Sequence, residues 1–164
     1  RMNRKSLALA AVAVLLSGTA GAQAVRSERT VSLDLANQIA AATVADCSAK
    51  GYNVTATVVD RAGTVRAVQR ADNAGPHTID ASRQKAYTAA SARNATSAML
   101  ETVQKNPGAA TLVDIPGFLV LGGGVPIRAG NDVIGAVGVG GAPGGQLDEQ
   151  CATAALDKVK DLLK

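Results

Sequence analysis

The stretch GFLVLGGGVPIRAGNDVIGAVGVGGAPGG, Gly117 to Gly145, decides the fold and holds most of the chain's 17 glycines. It reads as two apolar strands, FLVLGGGVPI (118–127) and VIGAVGVGG (133–141), joined by the turn Ala129-Gly130-Asn131-Asp132. Strands joined by so short a turn must pair antiparallel, because parallel strands need a long crossover. A second hairpin is expected from VTATVVD (54–60) and TVRAVQR (64–70), β-branched runs separated by Arg61-Ala62-Gly63. The sheet is therefore of the α+β kind, not doubly wound and parallel.

That conclusion bears on the glycines. A dinucleotide fingerprint needs G-x-G-x-x-G between a parallel strand and a helix. In Gly138-Val139-Gly140-Gly141-Ala142-Pro143 a proline stands where the third glycine belongs, and Gly144-Gly145 leads to Gln146 and Leu147, with no phosphate-binding lysine. Two readings remain. Gly122 to Gly124 mark a bend in a strand, or Gly138 to Gly145 bring bare amides to a ligand and open a helix at Leu147 whose N-terminus favours an anion.

Working outward, Ala36, Ala40, Thr43 and Cys47 form one helical stripe between Leu33 and about Lys50, and Gly51 stops that helix. Thr78 or Asp80 is expected to cap a helix through ASRQKAYTAASARN (81–94), continued by SAMLETVQK (97–105) as far as Asn106-Pro107-Gly108. Leu147, Cys151, Ala155, Val159 and Leu162 make the stripe of a terminal helix whose last turn carries Lys158, Lys160 and Lys164.

Arg4 and Lys5, the apolar run LALAAVAVLL (7–16) and the ending Ala22-Gln23-Ala24 have the pattern of a secretory signal peptide. The expected organisation is a signal over residues 1–24 and one domain over 25–164, periplasmic or secreted, with no membrane attachment after cleavage. Without Arg1, Arg4 and Lys5 the 17 basic residues fall to 14 against 13 acidic ones. The basic balance therefore argues for no nucleic-acid partner, and one Phe, two Tyr and no Trp leave little for base stacking.

Cys47 and Cys151 both fall on apolar helix stripes of an exported chain with an even cysteine count, which predicts a disulfide between the first and last helices. Two separate buried thiols are the alternative. No Cys/His set suits zinc, and no C-x-x-C-H suits covalent haem. The single histidine, His77, precedes the second helix. A lone loop histidine is usually a solvated or capping residue, but Arg70, Arg83 and Lys85 nearby could receive carboxylates, and Asp72 and Asp80 add acceptors.

The segments VVDRAGTVRAVQRADNAGPHTIDASRQKAYTAAS (58–91), GGGVPI (122–127) and VIGAVGVGGAPGGQLDEQCATAAL (133–156) together resemble the GlcG/HbpS-type haem-binding proteins, also called the haem-degrading domain family. The resemblance implies a profilin-like three-layer α/β/α domain with a five-stranded antiparallel sheet, assembled as a homo-oligomer. It falls on Asp60, Gly63, Arg70, Asp72, Arg83, Lys85 and Ala86, and then on Gly123, Gly124, Pro126, Gly135, Gly138, Gly141, Pro143, Asp148 and Cys151. Ala71 stands where members often carry Met. The family uses either His or Thr as the axial haem ligand, so His77 as ligand is a choice made on this chain's own residues. The implied function is an exported haem-binding protein aiding haem sequestration, sensing or degradation. The candidate ligand-binding set is His77, Arg70, Asp72, Arg83, Lys85, Gly124, Pro126, Gly138 and Gly141. The alternative is a small enzyme or pathway accessory acting on a small organic acid, with Arg83, Lys85 and the Gly138 to Gly141 amides holding a carboxylate while Asp72 or His77 moves a proton.

Overall fold

The computed structural model describes residues 24–164, so the expected signal segment lies, apart from Ala24, outside the described residues. Helix α1 (Leu33–Ala49) starts at Ser32, whose hydroxyl accepts from the Leu35 amide, and buries the stripe Ala36, Ile39, Ala40, Thr43 and Cys47. Hairpin β1 (Thr55–Asp60) and β2 (Val65–Arg70) follows, then α2 (His77–Ala92) and α3 (Thr96–Lys105). A 3₁₀ segment (Pro107–Asp114) leads to hairpin β3 (Gly124–Ala129) and β4 (Asp132–Gly140), and α4 (Gly145–Lys158) closes the domain.

The strands form one antiparallel sheet in the order β2-β1-β4-β3. Alternate residues of β4 face opposite layers. Val137 and Val139 join Ile39, Cys47, Cys151 and Ala152 in the core beneath α1 and α4, while Ala136 meets Val59, Ala86 and Ala89 beneath α2. The three-layer α+β arrangement stands. A disulfide joins Cys47 of α1 to Cys151 of α4, with Cα atoms 5.4 Å apart.

Small residues let α2 lie close on the sheet. Gly124 and Gly138 are cross-strand partners, and a methyl group on either would land on a main-chain carbonyl oxygen of α2, that of Lys85 or Ser82 respectively. Buried hydroxyls complete the contact. Thr78 donates to the Gly75 carbonyl (2.6 Å) and so accepts from Thr55 (2.7 Å), and Ser82 stands in the same relation to Ile79 (3.0 Å) and Thr57 (2.7 Å).

The expected five strands are corrected to four among the described residues. Residues 118–123 do not extend β3, because the ladder breaks at Gly123, whose φ of +120° only glycine adopts readily. Val139 donates its amide to the Gly123 carbonyl (2.9 Å), and a closely bonded antiparallel pair would return a bond from the Gly123 amide to the Val139 carbonyl. That carbonyl accepts instead from the Lys85 ammonium (2.8 Å), and the Gly123 amide faces Glu149 (3.4 Å). On the far side of β4, residues before α1 make one main-chain bond, Val31 to Ile134 (2.9 Å), without becoming a strand.

Three smaller expectations also change. Helix α2 begins at His77 behind Pro76, whose ring presets the entry angle, so neither Thr78 nor Asp80 caps it. It does not run on into α3, since Arg93 turns left-handed (φ 54°) between them. Helix α4 ends at Lys158, leaving Leu162 in a 3₁₀ turn and 57% exposed.

Lys85 crosses from one helical layer to the other at the gap left by the broken ladder. Its Nζ lies 2.8 Å from Oδ2 of Asp148, in the first turn of α4, and both side chains are 3% exposed. The other Asp148 oxygen accepts from the Ala142 amide (3.0 Å). A methyl group at Gly123 would press on Asp148 and on the Lys85 ammonium, so glycine there makes room for the pair.

Three outcomes are expected in urea unfolding. Gly138→Ala lowers stability by about 3 kcal/mol or more, since a main-chain oxygen cannot yield as a side chain can, whereas Gly144→Ala, with open space around it, is nearly neutral. Lys85→Met or Asp148→Leu alone costs about 3–5 kcal/mol by stranding a buried charge, and the double variant recovers only part of that loss, because the Val139 carbonyl and the Ala142 amide then lack their partners. Reducing the disulfide, which closes a loop with a sequence separation of 104, costs up to about 4.7 kcal/mol.

Candidate functional site

Residues three or four positions apart on a helix share a face, so His77, Ala81 and Lys85, spaced by four, form one stripe of α2. That stripe lines a half-enclosed cleft of about 330 Å³, whose opposite wall is the glycine turn from Gly140 to Gly145 with Ala142 and Pro143. Asp148 and Lys85 form its inner end, and Leu121 borders it. A larger groove of about 530 Å³ between α3 and α4 is lined by Glu101, Glu149 and Asp157, with neither a cation nor a histidine among its lining residues. The smaller cleft holds the greater variety of chemistry.

His77 is exposed at the cleft. Its ring folds over Gly75: a methyl group there would come within 2.8 Å of Cε1 and 2.9 Å of Nδ1. Arg70 holds the preceding loop by donating to the Ala74 carbonyl. Pro76 then starts the helix, so the loop 71–76 is fixed at both ends and presents the imidazole.

Burial is the largest influence on Asp148 and raises its carboxyl pKa above the ordinary value, while Lys85 and the Ala142 amide pull it down by less. The folded chain thus keeps this proton at pH values where the unfolded chain has lost it. The contribution of Asp148 to stability is present below the ordinary aspartate value and is lost as the pH rises through the raised one.

Of the candidate residues, His77, Lys85 and Gly141 line the cleft. Gly138 and Gly124 lie beneath α2, where they serve its close approach. Pro126 sits half-buried on edge strand β3 opposite Ala136, a place that tolerates a missing amide. Arg70 and Asp72 are exposed and do not line the cleft. Arg83 points to solvent, where it pairs with Asp80 (2.8 Å); that contact and Gln84 hold the Asp80 carboxyl below its usual range. Asp148, Ala81 and Leu121 belong to the site but were absent from the candidate set. The four-residue spacing from His77 signals Ala81, and an acid in the first turn after the glycine run signals Asp148. Leu121 carries no comparable signal.

A family model described as haem degrading protein HbpS-like matches residues 31–157. Protein GlcG of Escherichia coli K12 is 35% identical over 109 residues, covering 66% of this chain and 80% of the relative. The crystal structure of a double mutant of HbpS from Streptomyces reticuli superposes with a TM-score of 0.79 at 33% identity, covering 95% of this chain and 99% of that one. A structure of PduOC in complex with heme shares the fold at a TM-score of 0.70 and 23% identity, covering 78% and 94%. By fold and by sequence over most of its described length, this chain belongs to the HbpS-like haem degrading protein family.

Proposed function

We propose that the protein is an exported haem-binding protein, acting in the periplasm or outside the cell as a homo-oligomer. The observation that carries this reading is His77. Its imidazole is exposed at the mouth of the cleft, and no hydrogen bond or ion pair among the described residues engages it. An exposed imidazole without a partner is suited to ligate iron. The family description and the heme complex of a protein with the same fold support haem as the bound group.

The residues present fit a haem in part. Ala81, Leu121, Ala142 and Pro143 offer apolar contact, and Lys85 offers a cation for a propionate. A cleft of about 330 Å³ is smaller than a whole porphyrin, so one edge would enter and the rest would remain at the open side. A bound haem would supply a redox-active iron. The chain itself would contribute a nitrogen of His77 to hold the iron, with that ring oriented over Gly75 and water partly excluded by the glycine wall. Sequestration or sensing asks no more than this, and degradation would further need a source of electrons.

Titration of the purified protein with hemin should give a saturable Soret shift. His77→Ala should abolish the shift or weaken it at least tenfold, while Arg83→Ala, which faces away, should leave it unchanged. Absence of a saturable shift at micromolar hemin would overturn the reading.

A further inference from the structure

Strand β2 leaves one of its faces uncovered. Cross-strand partners point to the same side of a sheet, so Val65, Val68 and Arg70 share the side of Val59, Thr57 and Thr55, which is the side of α2. Helix α2 lies over β1, β4 and β3 and barely reaches β2, so Val65 and Val68 remain 41% and 45% exposed. Arg66 stands where the pairing skips a residue; it is exposed and makes no hydrogen bond or ion pair among the described residues. Arg70 is exposed too and gives one N–H group to the Ala74 carbonyl, which leaves its charge without a carboxylate among the described residues. The opposite charge lies on α4. Glu149, Thr153 and Asp157, spaced by four, line the groove of about 530 Å³ between α3 and α4, together with Ala154. Glu101 across the groove is paired with Lys105 (3.1 Å), but Glu149 accepts only from the Ser97 hydroxyl (2.8 Å) and the Gly123 amide (3.4 Å), and Asp157 has no ion pair among the described residues.

We propose that the exposed face of β2 docks in the α3–α4 groove of a second copy of this chain, Arg66 and Arg70 meeting Glu149 and Asp157 while Val65 and Val68 lie against Ala154 and the Thr153 methyl group. The spacings agree. Four residues of strand carry Arg70 about 13 Å from Arg66, and eight residues of helix carry Asp157 about 12 Å from Glu149. Opposite charge at matched spacing favours a second copy over an anionic polymer, which would meet the strand alone and leave the acidic groove unused. The two surfaces are different patches, so the contact is heterologous. Each copy uses its strand on one neighbour and its groove on another, and successive contacts build a ring or a filament rather than a two-fold dimer. The inference rests on the homo-oligomer part of the proposed function and does not depend on haem.

The test is a charge swap on the mature protein without haem, read by sedimentation velocity and light scattering. The strand variant Arg66→Glu/Arg70→Glu and the groove variant Thr153→Lys/Asp157→Lys should each weaken assembly at least about tenfold and run as monomers where the wild type is assembled. An equimolar mixture of the two should assemble again, because the acidic strand of one fits the basic groove of the other and the two unaltered surfaces fit in return. Should the first variant fail to fold through loss of the Arg70 contact with Ala74, Arg66→Glu/Val68→Glu keeps that contact and takes its place in the mixture. Variants that assemble as the wild type does would overturn this contact and leave the homo-oligomer reading standing. Monomeric variants that mixing does not restore would overturn the pairing of these two surfaces. A wild type that stays monomeric up to about 100 μM would overturn both the contact and the homo-oligomer reading. Hemin binding is read separately from the Soret band.

Discussion

The Val139 carbonyl needs a donor, and the sheet does not provide one. Had β3 continued past Gly124, a backbone amide would have met it; the ammonium of Lys85 takes that place. Burying a lysine so deeply requires a counter-charge, which fixes Asp148 at the start of α4. Asp148 in turn holds Ala142, and thereby the glycine turn that forms one wall of the cleft. The length of an edge strand, the docking of two helical layers and the shape of the cavity therefore share one ion pair. Such a pair gives little net stability over an apolar substitute, so its value lies in specifying this arrangement over others.

The glycines that first suggested a phosphate cradle divide by task. Gly124 and Gly138 are packing positions, at which α2 rests its main chain on the sheet. Gly123 provides a backbone turn and room for the buried ion pair. Only the run from Gly140 to Gly145 reaches the cleft.

Much of this organisation was legible in the sequence. The stripe of α1, both hairpins and the pairing of Cys47 with Cys151 follow from periodicity, tight turns and cysteine placement, all of which are local or compositional signals. The extent of β3 was not legible. Phe118 to Gly123 has the composition of a strand, but the backbone turns away at Gly123, and the carbonyl left unpaired there is met by a lysine that arrives from α2, 38 residues earlier in the chain. For the same reason Asp148 reads as an ordinary helix-start acid until its partner is located. Arg83 and Lys85 look alike in sequence, but 200° of helical rotation separates two such neighbours, and only one of them meets the cleft.

The strand order also governs how the chain can be made. Strand β1 lies at the centre of the sheet, yet its partner on one side, β4, begins more than 70 residues after β1 ends. Synthesis runs from the N-terminus, so the β1–β2 hairpin emerges long before β4, with one row of backbone groups unpaired and the valines of β1 uncovered. Cys47 likewise waits for Cys151. The first half of the molecule cannot complete its fold as it appears, and during that interval it depends on being kept from pairing with other chains.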